Sequence, residues 1–222
     1  KIQLRPIEAE DLEERGSAVL AGVSGILVPG GFGSRGIEGK IAAASFARRE
    51  KIPYFGLCLG MHVAVVEFAR NVCGIAAAHS SEIDPGTPNP VIHLMEEQRR
   101  VSDLGGTMRL GGYACDLVEG SIARPAYGEA EIRERHRHRY EFNNDYRERF
   151  EKAGLRPSGF CVGRDLVEIV ELEDHPWFVG VQFHPEFTSR PVRPQPLFRD
   201  FVRAAVERSM RDRGPDDKES DE

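Results

Sequence analysis

Pro53-Tyr-Phe-Gly-Leu-Cys-Leu-Gly-Met-His62 is the stretch whose reading decides the fold. The apolar run Ile52 to Leu57 predicts a buried strand, and Val63 to Ala69 predicts a helix. Between them lies Cys58, inside Gly56-Leu57-Cys58-Leu59-Gly60. Strand, tight turn and helix with a nucleophile-type residue at the turn is the pattern of a nucleophile elbow, where flanking glycines permit a strained turn that exposes one side chain. The helix N-terminus puts positive partial charge near the sulfur, which favours thiolate over thiol. A buried cysteine ordinarily serves as a small hydrophobe. With glycines on both sides at the mouth of a strand–helix unit, Cys58 is instead expected to be a catalytic nucleophile.

Working outward, Gly25-Ile-Leu-Val-Pro29 predicts a second buried strand that ends in Gly30-Gly-Phe-Gly33. Such a glycine cluster leaves backbone N–H groups free to face an anion. The phosphate-loop pattern is absent, since Lys40 is followed by Ile41. Ile37 to Glu50 predicts a helix with Ile37, Ile41, Ala44 and Ala47 on one face, and Pro53 lies just beyond it. Ile2 to Leu4 reads as a strand, and acidic Glu8 to Glu14 as a helix or loop leading on to Ala21. Alternating strands and helices imply an α/β fold with a mostly parallel central sheet and helices on both faces. Catalytic groups then collect at the carboxyl ends of the strands, where Gly30 to Gly33 and Cys58 become neighbours.

After Gly74 the pattern changes. His79 to Pro90 is polar and proline-bearing, and reads as a loop. Leu104-Gly-Gly-Thr-Met-Arg-Leu-Gly-Gly112 fits either a hairpin corner or a mobile flap hinged at its glycine pairs. Tyr113 to Val118 continues as a strand. In extended Arg133 to Phe142, Arg133, Arg135, Arg137 and Arg139 share one face, and His136, His138 and Tyr140 the other. That segment is either a solvated or interdomain strand, or the source of an arginine that clamps a carboxylate by bidentate hydrogen bonds. Val167 to Leu172 and Phe178 to Phe183 are strands, and the second runs into His184-Pro185-Glu186-Phe187. Pro185 disfavours a helical backbone at His184, so the tripeptide is expected to be extended with His184 and Glu186 on the same side. A carboxylate there holds the imidazole in the tautomer that accepts a proton from a thiol. Leu197 to Met210 predicts a closing amphipathic helix.

Length and composition fit this reading. The chain of 222 residues has room for one sizeable α/β domain. Starting at Lys1 without methionine, it reads as a processed or excised piece. No apolar run reaches the ~18 residues of a membrane span, and nothing resembles a signal peptide. The four cysteines (Cys58, Cys73, Cys115 and Cys161) show no CxxC pairing or zinc-type spacing. A reducing cytosol without metal or disulfides is the expectation. A net charge of -6 disfavours general nucleic-acid binding. The charged last stretch from Arg211 to Glu222 reads as a disordered tail.

Assembled, these residues resemble the class I (triad-type) glutamine amidotransferases and, within them, the glutaminase domain of CTP synthases, over roughly Gly25 to Phe201. Pro29-Gly-Gly-Phe-Gly33, Gly56-Leu-Cys-Leu-Gly-Met61 and Phe183-His-Pro-Glu-Phe187 look like that family's oxyanion strand, nucleophile elbow and His/Glu motif. Leu104-Gly-Gly-Thr-Met-Arg-Leu-Gly111, Arg135-His-Arg-His-Arg-Tyr-Glu141 and His175-Pro-Trp-Phe178 are particular to CTP synthases. The resemblance implies a flavodoxin-like amidotransferase domain over residues 1–209, with a smaller antiparallel portion and a tail over 210–222. It implies Cys58 as nucleophile, His184 as base then acid, and Glu186 as its orienting partner. Gly31 and Leu59 would supply the oxyanion N–H groups, each worth ~3 kcal/mol in acyl transfer. Gly60, Met61 and His62 would contribute to the glutamine pocket, Glu82 would meet the amino group and Arg139 the α-carboxylate.

The implied chemistry is release of ammonia from the glutamine amide through a γ-glutamyl thioester, then hydrolysis to glutamate. His62 stands where the family pattern has glutamine. No synthase domain is in this chain, so the ATP, Mg2+ and UTP sites, the ammonia channel and the amination of UTP would lie elsewhere. GTP would activate, and Arg109 would couple to GTP or to that domain. No cofactor is implied within this domain. A cytoplasmic homotetramer in pyrimidine biosynthesis is implied for the full-length protein. A stand-alone regulatory or binding module with weak or no activity is the alternative. A free γ-glutamyl hydrolase or peptidase is opposed by the segments around Thr107 and His138.

Overall fold

The computed structural model describes residues 2–94 and 108–212. Two apolar runs form β1 (Ile26–Val28) and β2 (Tyr54–Leu57), which pair in parallel with Ile26 opposite Tyr54. All of β2 is buried because both of its faces are covered. Its side chains alternate, Tyr54 entering one apolar core while Phe55 and Leu57 enter the other. On the Tyr54 side lie α2 (Ile37–Arg49), with Ile37, Ile41, Ala44 and Ala47 buried, and α3 (Leu59–Asn71), buried from Leu59 to Ala69. α1 (Ala9–Arg15) crosses α2 so closely that a Cβ on Gly39 would lie 1.9 Å from the Ala9 carbonyl oxygen.

Downstream come β3 (Ala78–Ser80), β4 (Asn89–His93), β5 (Arg109–Leu117), α4 (Ala123–Tyr127), β6 (Glu131–His138) and β7 (Glu141–Phe142). They are followed by α5 (Arg147–Ala153), β8 (Leu155–Cys161), β9 (Val167–Leu172), β10 (Phe178–Val181) and α6 (Pro196–Asp212). The main seven-stranded sheet runs β1-β2-β10-β9-β8-β5-β6, and a small sheet runs β3-β4-β7. α4 and α6 cover the second face, where Leu197 and Phe201 join Phe55, Trp177 and Val179.

The α/β class with helices on both faces is as expected, but the balance of pairing differs from a mostly parallel sheet. Only β1–β2 and β2–β10 pair in parallel, and every other main-sheet pairing is antiparallel. Parallel neighbours need a crossover helix, whereas β8 and β9 are joined by a short turn. Ile2 to Leu4 forms no strand and lies exposed. The Arg5 guanidinium beside it hydrogen-bonds the carbonyls of Val19 and Ala21. The ends of the expected loop His79 to Pro90 are drawn into β3 and β4, which pair in parallel. Residues 104–107 of the expected corner or flap lie outside the described residues, and 109–112 belong to β5. Residues 210–212 of the expected tail continue α6, and 213–222 lie outside the described residues.

Candidate active site

Cys58 sits where β2 ends and α3 begins, with φ 48° and ψ -99°. A positive φ is strained for a residue with a side chain. The Cys58 N–H donates to the Val181 carbonyl at 2.7 Å, and its carbonyl accepts the first helical bond from His62 N–H at 3.1 Å. The close approach of α3 to β1 requires Gly60, since a Cβ there would meet the Val28 carbonyl oxygen at 2.2 Å. Burial pushes the Cys58 thiol up to about 12, against the lowering effect of the Leu59 backbone N–H aimed at the sulfur. The expected thiolate is thus a thiol at rest. Desolvation outweighs the helix terminus, so the sulfur needs a base at the moment of attack.

The candidate base is at hand. His184 N–H is held by the Arg135 carbonyl at 2.8 Å, and its Nδ1 lies 2.7 Å from Glu186 Oε1. Its Nε2 is buried and has no hydrogen-bond partner among the described residues. Ring and thiol converge on Gly30, where a Cβ would lie 2.7 Å from His184 Cε1 and 3.6 Å from Cys58 Cβ. The tripeptide is not extended, because Pro185–Phe187 forms a 3-10 turn. Pro185 suits the first position of such a turn, and the turn still brings Glu186 back to the ring.

A cleft of about 400 Å³, its open mouth included, is lined by Gly31, Cys58, Leu59, His62, Glu82 and Arg139. These candidates come from four separate segments of the sequence. Burial raises the Glu82 carboxyl, and the Arg139 charge opposes the rise. Arg139 does not follow the outward face of Arg133, Arg135 and Arg137. β6 ends at His138, the alternation stops there, and Arg139 turns into the cleft. Gly60 and Met61 do not line it. Met61 is fully buried against β10, and the Gly60 carbonyl accepts from the Tyr54 hydroxyl at 2.8 Å.

Arg109, expected to couple outward, is buried. Its guanidinium lies 3.2 Å from Glu141 Oε1 and 2.7 Å from Glu168 Oε1 and stacks on Tyr113. A side chain so placed braces β5 against β7 and β9.

Other cleft residues were not among the candidates. Phe32, Met108, His138 and Tyr140 also line it, and Gln182 stands behind it between His62 and Cys58. His138 Nε2 lies 2.9 Å from His136 Nδ1, and burial holds both rings neutral. The alternation of β6 did place His136 and His138 on one face; which face meets Cys58 depends on strand pairing. Among the described residues, no cluster of His, Cys, Asp or Glu is arranged to hold a metal ion, and no helix is long and apolar enough to cross a membrane.

The glutamine amidotransferase class-I family matches residues 1–204. CTP synthase from Geotalea uraniireducens is 59% identical over 207 residues, which cover 93% of this chain and 39% of that protein. CTP synthase from Bacillus licheniformis is 59% identical over 209 residues, 94% of this chain and 39% of that protein. The chain therefore spans about 39% of the length of these relatives. Among solved structures, the Trypanosoma brucei CTPS glutaminase domain with bound acivicin superposes with a TM-score of 0.88 at 40% identity, covering 93% of this chain and 81% of that one.

Proposed function

The chain belongs to the class I glutamine amidotransferase family, and from that premise we propose that it hydrolyses glutamine through a thioester on Cys58, as the glutaminase part of a CTP synthase. The observation that carries the reading is Cys58 on a strained turn, sharing one cleft with the opposite charges of Glu82 and Arg139 and met over Gly30 by the imidazole of the His184–Glu186 pair.

In this reading Glu82 receives the substrate ammonium and Arg139 its α-carboxylate, which points the side-chain amide at Cys58. His184 Nε2 takes the thiol proton as sulfur attacks the carboxamide carbon. Glu186 on Nδ1 stabilises the imidazolium. The backbone N–H groups of Gly31 and Leu59 face the oxyanion. As the C–N bond breaks, His184 returns the proton to nitrogen and ammonia leaves. Water, deprotonated by the same imidazole, then attacks the γ-glutamyl thioester and releases glutamate.

Amination of UTP with this ammonia would take place in a separate synthase domain that holds ATP, Mg2+ and UTP. GTP activation, the ammonia channel and assembly into a tetramer would belong to that larger protein, which would be cytoplasmic. Residues 1–209 would form the amidotransferase domain.

The test is glutamate release from glutamine by the purified chain, with mass spectrometry of Cys58 after exposure to a glutamine-analogue thiol label. Release that is abolished in Cys58→Ala, together with a Cys58 adduct, is the expected result. Neither turnover nor adduct would overturn the reading.

A further inference from the structure

Gln182 follows β10 and is wholly buried, with its N–H donating to the Glu168 carbonyl at 2.8 Å. Its side chain bridges two groups of the site. Oε1 lies 2.9 Å from His62 Nε2, and Nε2 lies 3.8 Å from the Cys58 sulfur. The mechanism above gives it no task.

Burial holds the His62 ring neutral, lowering its pKa to about 4. One ring nitrogen then carries a proton and the other a lone pair. With the proton on Nε2, His62 donates to Gln182 Oε1, and the amide is turned with its NH2 group toward the sulfur. His62 Nδ1, buried and without a hydrogen-bond partner among the described residues, keeps the lone pair. A reversed amide would set its oxygen against the sulfur, which suits a thiol and repels a thiolate.

Cys58 has reason to need this donor. Its charged form is opposed first by burial and then by the charges of Glu82 and Glu186, and is favoured by the Leu59 N–H. His184 approaches over Gly30 as acceptor of the proton. A neutral N–H donor beside the sulfur stabilises the charge as it forms and holds no proton in competition with His184.

We propose that Gln182 is a catalytic hydrogen-bond donor to the Cys58 thiolate, and that His62 is the positioning residue that holds its amide in the donating orientation. The histidine standing where the family pattern has glutamine therefore acts through Gln182. The proposal deepens the glutaminase reading and rests on it for the substrate; the thiol chemistry is measured separately.

The experiment is the pH dependence of Cys58 alkylation by iodoacetamide on the full chain, read on the Cys58 peptide by mass spectrometry. Gln182→Leu should slow alkylation about tenfold at fixed pH and move the profile up by about one pH unit. His62→Phe should move it the same way by less, and the two effects should not add. The isosteric Gln182→Glu, which puts a carboxylate beside the sulfur, should move the profile further up and serves if the leucine variant does not fold. In turnover, Gln182→Leu should lower kcat with little change in KM. Wild-type alkylation profiles in the folded Gln182 variants would overturn the proposal. A chain that neither releases glutamate nor forms the glutamine-analogue adduct at Cys58, yet shows the shifted profiles, would overturn the glutaminase reading and support this one.

Discussion

Gly30 is where the two halves of the site touch, and a single methyl there separates them. A Cβ would press on the His184 ring at 2.7 Å, and that ring is already held by Glu186, while the His184 backbone N–H is fixed by the Arg135 carbonyl. Gly30→Ala should therefore cost roughly a hundredfold in glutamine hydrolysis, the scale of a catalytic group misplaced by about 1 Å. Unfolding measured by circular dichroism should stay close to wild type, since Gly30 has no positive φ to lose. Wild-type turnover in Gly30→Ala would refute the crowding. At this scale the residues legible in the sequence were those with a local signal: Cys58 between glycines, His184 before a proline, Glu186 two residues on. Gln182 and His138 carried none, because a polar residue in or beside a strand looks alike whether its side chain meets a sulfur or a neighbouring backbone.

Among the elements, β5, β7 and β9 are tied by one guanidinium facing two carboxylates, Arg109 with Glu141 and Glu168. Burial disfavours the second negative charge, so one carboxyl retains a proton. Desolvation lifts Glu141 from 4.5 to about 8. Between those values the folded chain holds a proton that the unfolded chain has lost, so the stability contributed here is full below pH 4.5 and lost as pH rises through about 8. Glu141→Gln keeps an acceptor for Arg109 and removes the titration. Its unfolding free energy in urea should thus fall less than that of wild type between about pH 5 and about pH 8. Equal pH slopes would refute the assignment. The sequence displayed Arg109 in a glycine-rich segment and suggested an outward role; its burial follows from the antiparallel pairing of β5 with β6 and β8, which no local pattern announces.

On the scale of the molecule, α6 closes the second core, and Leu197, fully buried, is its first apolar contact. Leu197→Ala should lower stability by about 2–5 kcal/mol in urea unfolding. Glutamine turnover in the folded fraction should remain unchanged; a variant with wild-type stability would show that α6 is dispensable to the core. The α/β class was legible because β1, α2, β2 and α3 alternate within a short span of chain. The antiparallel remainder was not, because hairpins and crossovers differ in the path between strands more than in the strands themselves. The place of β10 carries a consequence for synthesis. It is made last among the described strands yet lies between β2 and β9, and it supplies the Val181 carbonyl that pins Cys58 and, just beyond, the imidazole proposed to activate it. A nascent chain that has made Cys58 but not yet His184 lacks the imidazole proposed as its base, so glutamine hydrolysis cannot begin on the ribosome until the last described strand slots home.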